Sequence, residues 1–286
     1  MLSLTLQIVL NGLTTGLVYV LMALGFTLIF GIMRVVNFAH GELYMIGAFA
    51  LTVLSGSLHW PYLPAILCSV VLVGLLGALL ERVLFSRVIG NEFNCMILAL
   101  GVSICLQSIA LIVFGPDEVG APRPVTGVVH LGPAVIPADR LFVGAAAILL
   151  LVAFYLFLNK TRLGLMMRAV AQDPEMAALH GVRPNLIHTA AFAVGSLLAG
   201  AAGALMAPIY TVAPYMGELP MMKAFIVVVL GGLGSLPGAV VGGLMLGIVE
   251  SAFATMLGST VAALVAFAVV VATIAVRPEG LMGRRA

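Results

Sequence analysis

The stretch "MLSLTLQIVLNGLTTGLVYVLMALGFTLIFGIM", residues 1–33, contains no Asp, Glu, Lys or Arg. A cleavable secretory leader shows a basic segment ahead of its apolar run. Here the run starts at once and continues well past the about 20 residues needed to cross the hydrocarbon core. The stretch therefore reads as a first membrane span that stays with the chain, and it marks the chain as a membrane protein.

Of the 286 residues, 63% are hydrophobic and 8% charged, against roughly a quarter charged in a soluble domain. Mean hydropathy is +1.23. Charge-free runs recur at 43–80, 93–116, 184–217, 224–249 and 251–276, with a barely sufficient one at 141–159. A lone strand in lipid leaves its backbone groups unpaired, so the spans are helices. The spans are expected near 5–30, 41–58, 62–85, 93–114, 141–158, 187–207, 219–233, 237–256 and 259–276. The expected fold class is all-α: a polytopic transmembrane bundle of about eight or nine spans, with residues 1–286 forming one membrane domain. The Gly-rich "GGLGSLPGAVVGG" (231–243) reads either as a hairpin between two spans or as a re-entrant break in one. Cys68, Cys95 and Cys105 sit in apolar runs at no metal-site spacing and are expected to be ordinary packing residues. The net charge of +2 carries no signal for nucleic acid.

Short basic loops stay in the cytoplasm. With the amino terminus outside, Arg34, Arg82, Arg87, Lys160, Arg162, Arg168, Arg183, Arg277, Arg284 and Arg285 fall on one side. The five-proline segment 115–140, with Asp117, Glu118 and Asp139 against Arg123 and Arg140, falls on the other. An outer amino terminus and an inner basic tail require an odd number of crossings, which favours two crossings within 219–256.

One charged island interrupts the oil: "RAVAQDPEMAALHGV", residues 168–182. It has the marks of a short, self-contained helix. Asp173 suits the N-cap, Pro174 the first helical position, and Glu175 the positive end of the helix dipole. Gly181 can take the left-handed stop conformation, and Pro184 prevents continuation. Sidedness makes the island cytoplasmic, so it is either a surface helix resting on the spans or a docking element for a cytoplasmic partner.

Ionisable and polar side chains at membrane depth are costly and mark interior contacts or watery paths. Asn37, His40 and Glu42 cluster in "NFAHGE"; Ser103 and Gln107 share a helical face; Glu250 lies far from any loop. Asn37, His40, Glu42, Gln107 and Glu250 are the candidate substrate pathway. Each has a plain alternative: helix capping for Asn37 and His40, interhelical hydrogen bonding for Gln107, and a neutral bonded acid for Glu250. Gly12, Gly16, Gly25 and Gly31 suit close helix contacts. An enzyme is not indicated: there is no HExxH, no paired-carboxylate arrangement and no nucleophile beside a base. His180 and His188 are spaced across a helix end, so no metal site is expected.

Three segments in order, "NGLTTGLVYVLMALGFTLIFGIMRVVNFAHGELYMIGAFA" (11–50), "TRLGLMMRAVAQDPEMAALHGV" (161–182) and "GGLGSLPGAVVGGLMLGIVES" (231–251), resemble the branched-chain amino acid permeases of ABC importers, of the LivH type. "VNFAHGE" is the most specific of these signals. The resemblance implies an inner-membrane permease subunit that translocates an amino acid delivered by an extracytoplasmic binding protein. It further implies a second related permease, two cytoplasmic ATPase subunits, and ATP and magnesium used by those partners. In that family the matching segment, here within 160–186, is the coupling helix. The resemblance therefore assigns Arg168, Asp173, Pro174, Glu175, Ala177, Ala178, His180 and Gly181 to ATPase coupling. The chain has only two lysines, Lys160 in "LNKTR" and Lys223 in "MMKAF", and neither completes a phosphate-cradling Gly-Lys-Ser/Thr loop. Two alternatives remain: a stand-alone channel or secondary transporter for a small polar solute such as urea, and an importer permease for urea, amides or aromatic acids.

Overall fold

The computed structural model describes residues 2–131, 134–277 and 279–283; the basic pair Arg284 and Arg285 lies outside them. The first apolar run forms one helix, α1 (Leu2–Met33). From Val18 to Ile29 nearly every side chain is buried, whichever way it points. A helix apolar all round belongs in the middle of a bundle, and α1 is packed by α5 (Ala138–Lys160), α8 (Pro184–Met206), α9 (Glu218–Gly231) and α10 (Leu236–Leu257). The outer helices, α3 (Tyr62–Val83), α4 (Glu92–Phe114) and α5, expose Leu67, Leu75, Ile104, Ile112 and Leu149. Such a surface suits lipid rather than water.

Among the described residues six helices are long and apolar enough to cross a membrane. The expected number was eight or nine. Three of the expected spans form helices at the expected places but are not among these six. At 41–58 the chain forms α2 (His40–Leu51), which continues as a π-helical segment, Thr52–Ser57. At 219–233 it forms α9, whose 14 residues span about 21 Å of a core about 30 Å thick. At 259–276 it forms α11 (Ser259–Val276), of which Ser259–Thr273 is a shorter apolar helix. The physical reason for the first two is the same. Each is led in by irregular chain buried inside the bundle, so its α-helical part alone does not reach membrane length. Such backbone survives there only because protein surrounds it. The first lead-in holds the buried Val35, Asn37 and Ala39; the second holds the buried Val212, Pro214 and Gly217.

α2 and α9 are related. Gly41, Glu42, Leu43, Met45, Ala48 and Phe49 recur in the same order as Gly217, Glu218, Leu219, Met221, Ala224 and Phe225. The two helix starts meet: a Cβ on Gly41 would stand 2.6 Å from the Gly217 carbonyl oxygen. The depth of that meeting follows from His40, whose ring reaches the carbonyl of Met22, about three helical turns before the end of α1. Two half-helices thus begin face to face inside the bundle, an arrangement found where transporters place their substrate sites.

Glycines elsewhere bring α1 onto its neighbours. A Cβ on Gly12 would stand 2.7 Å from the Ile248 Cα of α10, and one on Gly16 3.0 Å from the Gly243 carbonyl; Gly25 abuts Gly195 of α8. Gly31 does not share this role, since its nearest neighbour, the Gly234 Cα, is 4.0 Å away. The 231–243 run is a hairpin: Gly232 and Gly234 take φ of 104° and 82° in the turn between α9 and α10. Of the cysteines, Cys95 is buried and Cys68 half-buried, but Cys105 is exposed on the outer face of α4, against the packing role expected of all three.

The two ends of the bundle carry different polar groups. Arg34, Glu92, Ala171 and Gly234 line one cavity at one end of the bundle. At the other end the 115–137 segment carries a short antiparallel hairpin, β1 (Val128–Leu131) with β2 (Ala134–Pro137), and pairs Val119 with Val212. Arg140 there donates to Asn11 at 2.8 Å, and Arg123 pairs with Asp139 at 3.7 Å.

Candidate functional site

Two polar clusters involve α2 and α9, one around Glu42 and one around Lys223. In the first, Glu42 sits in the opening turn of α2, where an acid is favoured by the dipole. Its Oε1 accepts from Ser103 Oγ at 3.1 Å and Gln107 Nε2 at 2.9 Å, both on one face of α4. Gln107 Nε2 also donates to Glu218 at 3.3 Å, so one amide joins the equivalent acids of the two half-helices. The other Glu42 oxygen is buried with no partner among the described residues.

In the second cluster Lys223 of α9 forms an ion pair with Glu250 of α10 and donates to the Tyr19 hydroxyl of α1 at 2.8 Å. Tyr19 in turn donates to the second Glu250 oxygen at 2.9 Å. Beside them lies a cavity of about 250 Å³, walled by Val18, Met22, Met206, Met216, Leu219 and Pro220, with Tyr19, Tyr44, Tyr210, Thr211 and Lys223 supplying its polar atoms. Paired charges on facing helices are how a membrane interior tolerates ionised groups at all.

The five pathway candidates therefore divide. Glu42 and Gln107 are brought together, and Glu250 belongs to the other cluster. Asn37 and His40 are fully buried and brace the broken start of α2. Asn37 Oδ1 accepts from the backbone N–H of Ala39 at 3.1 Å, and His40 Nε2 donates to the Met22 carbonyl at 3.1 Å. Lys223, Tyr19 and Glu218 were not among the pathway candidates read from the sequence. A signal was available for two of them: Lys223 is one of only two lysines and directly precedes a long apolar run, and Glu218 repeats Glu42 within the shared Gly-Glu-Leu.

The charged island folds as its residues dictate. α6 (Arg162–Gln172) leads to α7 (Pro174–Leu179). Asp173 Oδ1 accepts from the N–H groups of Glu175 and Met176 at 2.9 and 3.0 Å, and Gly181 has φ 83°. His180 Nδ1 donates back to the Met176 carbonyl, and Arg168 donates to Asn159. Glu175 and Ala178 are exposed. Ala177 is not available as a contact, since it is only 6% exposed and packs inward; Leu179, at 80%, and Met176 face out instead.

The family model describing the branched-chain amino acid transport system permease component matches residues 8–274. Among named relatives, the high-affinity branched-chain amino acid transport permease BraD of Pseudomonas aeruginosa is 35% identical over 98% of this chain and 96% of its own length. LivH of Escherichia coli is 34% identical over the same shares. The probable LivH of Methanocaldococcus jannaschii is 30% identical over 92% of this chain and 88% of its own. A solved structure of PsaBC from Streptococcus pneumoniae in complex with Fab superposes with a TM-score of 0.53 over 94% of this chain and 91% of that one. Its 14% identity makes that a likeness of fold alone. These matches run against the stand-alone channel and with the motifs, the multi-pass helix bundle and the projecting α7: the chain belongs to the family of permease components of branched-chain amino acid transport systems.

Proposed function

We propose that this chain is one of two membrane subunits of an ATP-driven importer of branched-chain amino acids in a bacterial inner membrane. The observation that carries the reading is the similarity to named permeases of that transport across nearly the whole chain. In this reading an extracytoplasmic binding protein delivers the amino acid to the end bearing the 115–137 segment. A second, related permease completes the path. Two cytoplasmic ATPase subunits, using ATP and magnesium, seat α7 in a surface groove through the exposed Met176 and Leu179 and the capped first turn. Closure of the ATPases then moves α7 and the α6 end of the bundle, and the spans open alternately to the two sides.

Residues 1–286 act as a single permease domain. Nine crossings satisfy the parity set by an outer amino terminus and an inner tail, with α2 and α9 each completed by its lead-in and α11 returning to the cytoplasm. Glu42, Gln107 and Glu250 contribute polar groups along the path, while Asn37 and His40 hold the break that lets α2 begin inside it.

The test is co-purification. Tagged chain extracted from its native membrane in mild detergent is expected to bring a second permease and two ATPase subunits with it. Recovery as a homo-oligomer without an ATPase would overturn the reading.

A further inference from the structure

The cavity beside Lys223 combines one cationic side chain with walls that are mostly apolar. Lys223 has three N–H donors; one goes to Tyr19 and one to Glu250. Among the described residues no acceptor takes the third. Tyr19 already gives its hydrogen to Glu250, and both Glu250 oxygens are occupied. Glu250 itself does not line the cavity, whereas Lys223 and Tyr19 do. A charged donor is thus held from behind by an acid, with one hydrogen bond to offer into a space whose walls are mostly Met, Val, Leu and Pro side chains.

The two half-helices make the same point by their difference. Lys223 stands where α2 has Gly47 in the shared pattern. Gly47 is closed over by the Gly200 backbone, so the first half has no cavity there. The scaffold positions are repeated and the charge is not, which sets Lys223 apart from the packing residues around it.

We infer that this cavity is a substrate site for an α-amino acid with a small apolar side chain. The carboxylate takes the free donor of Lys223, the ammonium lies against the tyrosine faces and hydroxyls of Tyr44 and Tyr210, and the side chain packs on Met22, Met206 and Leu219. Ammonium over an aromatic face is a favourable pairing. A thioether wall accommodates branched chains of different shape because Met is flexible and polarisable. The volume of about 250 Å³ falls just below the usual range for drug-sized ligands, about 300–1,000 Å³, which suits a single amino acid. Glu250 is a positioning residue that aims Lys223. The site rests on the proposal that the chain serves an amino acid importer.

The probe is photo-leucine, a diazirine analogue of leucine, applied to the assembled complex in lipid without its binding protein. Light-driven labelling is expected within residues 18–22 and 206–223, and excess leucine should block it. Lys223→Met should lower labelling at least about tenfold, the size of one lost charge-assisted hydrogen bond, whereas Lys223→Arg should keep most of it. Because Lys223→Met leaves Glu250 unpaired, the double variant Lys223→Met/Glu250→Gln serves as its control. It carries no orphan charge and should assemble with its ATPases in wild-type amount, yet label as poorly as the single variant. Label mapping elsewhere, or undiminished label in the double variant, overturns the site and leaves the importer reading standing. A wild-type complex that assembles but neither transports nor labels with leucine overturns both.

Discussion

Gly41 and Gly217 touch backbone to backbone at the starts of α2 and α9, with no room for a side chain on either. The contact joins the starts of the two helices. A methyl group at either position must push main chain against main chain, and overpacking of that kind costs about 1–3 kcal/mol. Gly41→Ala and Gly217→Ala are expected to lower the melting temperature in detergent. Gly101→Ala is the matched control, since that helical glycine has open space around it. There the change should be neutral or stabilising by up to about 1 kcal/mol. Equal melting temperatures for all three variants would refute the close-contact role.

The Lys223–Glu250 pair is expected to show strong coupling. Each side chain is about one fifth exposed, so the loss on neutralising one partner should fall below the about 3–5 kcal/mol of a fully buried pair. Neutralising both together should cost less than either change alone, because no unpaired charge is left in the membrane. A double-mutant cycle on thermal stability measures this. Simple additivity of the two single changes would contradict a direct pair.

Sidedness can be read by thiol labelling. With Cys68, Cys95 and Cys105 replaced, single cysteines at Gln172 and Val125 report the island and the outer segment; both positions are exposed. A membrane-impermeant reagent in whole cells is expected to label position 125 and spare position 172. The reverse pattern would invert the assigned topology.

Two substitutions in α7 separate docking from folding. Leu179→Arg changes a side chain that faces out, so the protein should insert normally but lose its ATPase and its transport. Ala177→Arg forces a long side chain into the chain's own packing and should reduce the amount of folded protein as well. Asp173→Ala removes the N-cap and should weaken the helix by about 1 kcal/mol, reducing association without abolishing it. An Arg at position 179 that leaves ATPase binding and uptake at wild-type levels would leave α7 without a coupling role.

The elements that were legible in sequence are those whose cause is local. α1 reads from its own unbroken apolar run, and α7 reads from Asp173, Pro174 and Gly181 within one stretch. Ser103 and Gln107 share a face by spacing alone, and the structure puts both on Glu42. The breaks ahead of α2 and α9 lie just before the spans expected at 41–58 and 219–233, so in sequence they read as ordinary loops rather than as irregular chain buried among helices. Burial among other helices is what lets them stay irregular. The tie between Lys223 and Glu250 was likewise hidden, since the partners lie on different helices and only the turn at Gly232 to Ser235 folds one against the other. The repeated Gly-Glu-Leu, with the Met, Ala and Phe that come after it, was the signal that would have revealed both half-helices.

Uptake of labelled leucine by proteoliposomes tests the central claim most directly. The chain is reconstituted with its co-purifying permease and ATPases, and the binding protein is supplied on the outer face. Accumulation is expected with ATP and magnesium inside, none with ADP, and none when either the ATPases or the binding protein is omitted. Equilibration of leucine or urea across vesicles holding this chain alone, without nucleotide, would contradict the account and make the chain a channel.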